Sequence, residues 1–141
     1  MGRKLLEISY LGTNYCGWQV QPNGTTVQEI LQNALEDVLK HRPDVTGCSR
    51  TDSGVHAKSF YCHFDTNVNI PNKGLVLGLN TKLPNDIAAL NCYDVDDDFH
   101  ARYDSDGKTY RYSFYCNEIK NPFFEGRTLW LKNTVDLSKA N

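Results

Sequence analysis

The chain has 141 residues, of which 40% are hydrophobic and 23% charged, and its net charge is −2. That length and balance suit one ordinary globular domain with a real core and exclude a disordered chain. No apolar run approaches the ~20 residues of a membrane-spanning helix. Glu7 follows Met1 too closely for a secretory signal core, so the cytoplasm is the expected location. Nucleic-acid binders are usually basic, so any RNA contact here must come from a local patch or from a part outside this sequence. Five cysteines, with no Cys-x-x-Cys pair, read as reduced thiols, several of them core fillers.

In chain order, Lys4 to Tyr10 predicts a strand with Leu6, Ile8 and Tyr10 on one face and Leu5 on the other. Leu11 to Gly24 is a loop rich in Gly, Asn, Gln and Pro. Thr26-x-x-Glu29 is a capping-box signature that opens a helix from Val27 to about Lys40. Val27, Ile30, Leu31, Ala34, Leu35, Val38 and Leu39 recur on it at helical spacing, and Pro43 helps to stop it. Val45 to Cys48 could be a short strand, and Ser59 to Asp65 is β-prone. Asn72 to Leu83 predicts a short helix carrying Leu75, Val76, Leu77 and Leu79, and Ile87 to Val95 a strand. Asp94, Asp96, Asp97 and Asp98 read as a solvated turn, with an oxygen-ligand metal site as the minor reading. Lys108 to Cys116 is the most regular strand pattern, alternating Tyr110, Tyr112, Phe114 and Cys116 with Thr109, Arg111, Ser113 and Tyr115. Val135 to Asn141 looks like the opening turn of a further helix, which predicts that the chain is truncated. Helices mixed with strands through connections of varied length favour an α+β fold. The expected arrangement is an antiparallel sheet with helices on one face, rather than a doubly wound parallel sheet.

The run Cys48-Ser49-Arg50-Thr51-Asp52-Ser53-Gly54-Val55-His56-Ala57 crowds a guanidinium, a carboxylate, a glycine and an imidazole into one short loop. Asp-Ser-Gly favours a turn, so Asp52 reads as a turn residue or as a site carboxylate. As a site it fits either an aspartic-protease dyad or a single nucleophilic or base-acting aspartate. A dyad shares one proton and needs one carboxyl kept neutral. A nearby Arg50 favours the ionised form and argues against that sharing. Zinc bound by Cys48, His56, Cys62 and His63 is conceivable, but the spacing matches no standard pattern.

Several ordered segments resemble the TruA-type tRNA pseudouridine synthases. They are Tyr10 to Gln19, Thr26-Val27-Gln28, Gly47 to Ala57, His63-Phe64-Asp65-Thr66, Leu79-Asn80, Leu83-Pro84-x-Asp86-Ile87, Phe99 to Asp104 and Tyr110-Arg111-Tyr112. The Arg-Thr-Asp-x-Gly-Val-His-Ala core is the most specific. Cys48-Ser49 stands where the family usually has Ala-Gly, and Ser53 where Ala is common.

The resemblance implies a ferredoxin-like subdomain and isomerisation of uridine to pseudouridine in the tRNA anticodon stem-loop, without metal or organic cofactor. Asp52 is then the essential carboxylate, acting at C1′ or on a 2′-proton. Tyr110 would stack on the flipped base. Arg50 would fill the vacated space or hold phosphate, and His56 and Arg102 would contact RNA or support the site. Trp18 and Gln19 could touch RNA, though Trp18 equally suits a core anchor. Family members are homodimers with a second related half that supplies a basic residue near the aspartate. The expectation is therefore an N-terminal half, inactive alone, whose cationic partner lies beyond Asn141.

Overall fold

A computed structural model of the chain describes residues 2–132. The expected helix start at Val135 to Asn141 lies outside the described residues. The chain divides into two units at Asp106 and Gly107.

The first unit runs β1 (Gly2–Tyr10), α1 (Val27–Leu39), β2 (Thr46–Gly47), β3 (Ala57–Thr66), α2 (Asn72–Lys82) and β4 (Ile87–Val95). Its four strands lie in the order β2-β3-β1-β4, and every neighbouring pair is antiparallel. This βαββαβ arrangement, with each crossover skipping one strand, is ferredoxin-like, as the resemblance implied. β1 is central because it alternates cleanly: Lys4, Leu6, Ile8 and Tyr10 are buried on one face. Phe60, Cys62 and Phe64 of β3 and Ile87, Ala89 and Cys92 of β4 join them in one core with residues of both helices. Both helices therefore cover the same face of the sheet. On the other face Glu7 accepts from Ser59 Oγ (2.5 Å) and Asn91 Nδ2 (2.8 Å).

α1 starts where the capping signature placed it, with Thr26 Oγ1 accepting the Glu29 amide. It ends at Lys40, which takes a left-handed conformation at φ 63°. Val27, Leu31, Ala34, Leu35 and Leu39 are buried, each large one contributing roughly 1.5–3 kcal/mol. In α2, Leu75, Val76 and Leu79 are buried while Leu77 faces solvent. Asn80 pairs through its side-chain amide with both the N–H and the C=O of Ala89, fixing α2 along β4. Buried Lys4 reaches Asn72 Oδ1 (2.6 Å) and Asp94 Oδ1 (2.7 Å), so Asp94 is a salt-bridge partner.

In the second unit the expected long strand from Lys108 is short. Only β5 (Phe114–Cys116) forms, paired in parallel with β6 (Leu129–Leu131). Residues 108–112 have the alternation of a strand but pair with no strand among the described residues. Pattern and propensity make a strand only where a ladder partner exists.

All five cysteines are free thiols; Cys62 and Cys92 are buried, and burial pushes both thiols up, Cys92 to about 11. Among the described residues no helix is long and apolar enough to cross a membrane.

Candidate active site

The loop from Cys48 to His56 joins β2 to β3 and lies at the C-terminal end of β1. There the β1–β3 register shifts between Ile8 and Tyr10, so that Tyr10 faces Ala57. Such irregularities re-aim chain ends and recur beside active sites. The loop is held by the first loop of the chain, residues 11–18. Tyr10 Oη lies 2.9 Å from Thr51 Oγ1, and the Trp18 amide donates to the Thr51 carbonyl at 3.2 Å. On the other side of Asp52, the Tyr15 carbonyl accepts from Ser53 Oγ and from the Gly54 amide, both at 3.2 Å. The Val55 amide closes the turn onto the Asp52 carbonyl at 3.1 Å, with Gly54 at φ 81° in the position that favours glycine. His56 Nδ1 accepts the Gly12 amide at 2.8 Å.

Two glycines of the first loop permit this contact. A Cβ on Gly12 would stand 2.0 Å from the Val55 carbonyl oxygen, and one on Gly17 would stand 2.4 Å from that of Thr51. The first loop is fixed in turn by Asp86, after α2. Its carbonyl accepts the Leu11 amide at 2.9 Å, and its carboxylate accepts the Tyr15 hydroxyl at 2.5 Å. Burial, then the Asp86 contact, pushes the Tyr15 phenol well above its ordinary range.

Asp52 is thus fixed through its neighbours while its side chain is exposed. Among the described residues its carboxylate makes no side-chain hydrogen bond or ion pair. A carboxylate on a rigid, outward-facing turn can act on a substrate as nucleophile or base without first breaking an internal contact.

The other expected site residues separate. Arg50 is exposed on the same loop and forms no ion pair with Asp52 among the described residues. His56 joins the two loops. Arg102 is exposed in the turn of residues 101–104, which is anchored elsewhere: the Ala101 amide donates to His63 Nδ1, and the Phe99 carbonyl accepts from Arg3. His63 faces Leu5 on β1, whereas the Asp52 loop rests on Tyr10, five residues on and roughly 17 Å along the strand. Tyr110 belongs to the second unit, where it is 62% exposed, with Lys108 Nζ 5.1 Å from its ring centroid. Trp18 is a core anchor, 1% exposed and packed at a tilt on Phe60 with ring centroids 4.5 Å apart, whereas Gln19 is exposed.

No group of three or more His, Cys, Asp or Glu among the described residues is arranged to hold a metal. Cys62 and His63 are consecutive on β3, so they point to opposite faces of the sheet and cannot share an ion.

Sequence reasoning missed Tyr15 and Asp86 as site residues. The signal was present, because both lie in the segments that carry the family resemblance, but neither segment alone shows that the two meet.

A family model described as tRNA pseudouridine synthase matches residues 8–104. Proteins called tRNA pseudouridine synthase A from Staphylococcus aureus strains Newman and JH1 are each 45% identical to the chain over 139 residues. The match covers 99% of this chain and 52% of each relative, so the chain spans about half the length of these relatives. The four-stranded antiparallel sheet with two helices agrees with these matches. The chain belongs to the tRNA pseudouridine synthase family.

Proposed function

We propose that this chain carries the nucleophilic or basic carboxylate of an isomerase that converts uridine to pseudouridine in the anticodon stem-loop of tRNA. The observation that supports it most directly is the exposed Asp52 carboxylate on a turn bonded at Thr51, Ser53 and Gly54. The reaction breaks the N1–C1′ bond and forms a C5–C1′ bond. A proton leaves C5 and one is taken up at N1, so product and substrate are isomers. No electrons are gained or lost, and the chemistry calls for no redox cofactor. Asp52 acts at the sugar, by attack on C1′ or by removal of the 2′-proton; either role needs the ionised carboxylate.

The target uridine must leave its stack, at a cost of a few kcal/mol. Tyr110 offsets part of it by stacking on the flipped base, worth roughly 1–3 kcal/mol. Arg50, two residues before Asp52, occupies the vacated space or holds a flanking phosphate. Arg102 meets the RNA at a separate point. The working protein is a homodimer and acts in the cytoplasm.

The test is a chimera in which this chain replaces the matching segment of the Staphylococcus aureus relative, assayed by release of tritium from C5-tritiated uridine in tRNA. Asp52→Ala and Asp52→Asn are expected to lower turnover by more than about a thousandfold with tRNA binding retained. Turnover that survives Asp52→Ala would sink the assignment. Binding of tRNA without tritium release from the unsubstituted chimera points instead to an RNA-binding module.

A further inference from the structure

The turn that carries Arg102 is held by two histidines, and both act as acceptors. His63 Nδ1 takes the Ala101 amide at 3.0 Å, and His100 Nδ1 takes the amides of Arg102 (3.2 Å) and Tyr103 (3.3 Å). The rings touch: His63 and His100 meet edge to face at 4.8 Å, and Tyr103 stacks on His100 at 4.1 Å. His63 is 6% exposed and Ala101 is buried beside it, while Tyr103 is 79% exposed. An imidazole nitrogen that accepts an N–H must carry no proton, so these contacts exist only with both rings neutral and protonated at Nε2.

The surroundings explain why the turn needs fixing. Arg102 is the only lysine or arginine between Val95 and Gly107, a stretch that also holds Asp96, Asp97, Asp98, Asp104 and Asp106. A guanidinium on a loose turn would fold back onto these carboxylates. On a fixed turn the backbone sets the point and direction from which the side chain leaves.

We propose that His63 and His100 are positioning residues for RNA contact: as neutral imidazoles they fix the backbone of residues 99–104 and hold Arg102 outward toward a phosphate of the RNA. This rests on the tRNA reading above. The groups around His63 are Arg3 of β1, Asp65 of its own strand and His100 of the turn; those around His100 are His63, Tyr103 and Asp104. Asp97 and Asp98 act on Arg3. Burial first, then Arg3 and His100, hold His63 below its ordinary value. The His63 contact is therefore complete above pH ~6.5 and opens as the pH falls through the depressed value.

The experiment has two readouts. On the chain itself, histidine NMR and amide exchange are followed against pH. Ala101 protection is expected to fall in step with His63 protonation. His63→Leu should lose it at every pH, and His63→Asn, whose Oδ1 can accept in place of Nδ1, should keep it without the pH dependence. Unchanged Ala101 protection in His63→Leu, or pH-independent protection in the unsubstituted chain, overturns the clasp. If His63→Leu fails to fold, the Asn variant and the unsubstituted titration still decide.

The second readout is binding of a 2′-O-methylated anticodon stem-loop RNA to the chimera at pH 7.5. Arg102→Ala and His63→Leu should each weaken it about tenfold, with no further loss in the double variant. Additive losses overturn the positioning role. If Arg102→Ala binds RNA unchanged, the contact at Arg102 is wrong while the clasp is still judged by exchange. If the unsubstituted chimera binds no RNA, the tRNA reading itself fails.

Discussion

His56 Nδ1 accepts the backbone amide of Gly12 at 2.8 Å, so this imidazole ties the end of the loop that carries Asp52 to the first loop of the chain. Gly12 is buried, so losing the imidazole leaves its amide short of a protein partner. His56→Ala should therefore cost about 1–3 kcal/mol, the usual effect of leaving a buried donor unpaired. His56→Asn, which can accept through Oδ1, should recover most of the loss. Urea midpoints of the two variants check this, and equal midpoints would show that the bond contributes nothing. In the chimera, His56→Ala should lower turnover more than tRNA affinity, because it loosens the turn that aims Asp52.

Gly12 and Gly54 are both glycines of the site, but they resist substitution for different reasons. At Gly12 the added methyl would stand 2.0 Å from the Val55 oxygen and 2.7 Å from its carbonyl carbon, both backbone atoms. The two loops must separate, and Gly12→Ala should destabilise by roughly 3 kcal/mol or more, in the range of overpacked sites. At Gly54 the methyl would meet nothing within 4 Å, and only the φ of 81° opposes it. Gly54→Ala should cost about 1–2 kcal/mol. Chemical denaturation of the two variants ranks them, and the reverse order would contradict the close approach of the loops.

Much of this fold was legible in the sequence. The period of 2 in Lys4 to Tyr10 and the period of 3.6 from Val27 to Leu39 each place a buried face, and Thr26 marks where the helix starts. Lys108 to Cys116 misled because alternation reports only a chain able to form a strand. The ladder needs a second chain segment, which only residues 114–116 find. The Asp52 loop stood out in the sequence because its residues are crowded within ten positions. The groups that hold it were not, because Tyr15 and Asp86 meet across 71 positions and no local pattern encodes that contact. Arg102 was expected with the same site, yet its turn is anchored on His63 and Arg3. Sequence proximity to a motif says nothing about which end of a strand a turn returns to.

Tyr15 donates its hydroxyl to Asp86 and offers its carbonyl to Ser53 and Gly54, so it links the α2–β4 connection to the turn that carries Asp52. Tyr15→Phe keeps the ring in the core and removes only the hydroxyl. It should cost about 1–3 kcal/mol, the range for hydrogen bonds to charged groups. Turnover in the chimera should fall severalfold with KM little changed, since no substrate contact is lost. Ultraviolet titration gives a second check. Tyr15 should ionise only well above the ordinary range of a tyrosine, and that late step should vanish in Tyr15→Phe.

Acid should destabilise the first unit in two stages, because two kinds of group have depressed values. His63 is held low by burial, so the unfolded chain binds its proton first, and stability declines as the pH drops below ~6.5. The carboxylates follow. Arg3 grips Asp65 through Nε at 2.8 Å and Nη2 at 3.1 Å, which holds the Asp65 carboxyl below its ordinary range. Ser59, then Asn91, does the same for Glu7. A depressed carboxylate contributes stability that is present above about pH 4 and is lost as the pH falls through the folded value. Urea midpoints measured from pH 8 to pH 3 should therefore be flat above ~6.5 and fall in two steps. His63→Asn should shrink the upper step and leave the lower one. Asp65→Asn should lower the plateau and shrink the lower step, because an amide cannot form the charged pair with Arg3. A single transition confined to pH values below 4 in the unsubstituted chain would show that His63 titrates as it does in the unfolded state, and the neutral-imidazole clasp would lose its thermodynamic support.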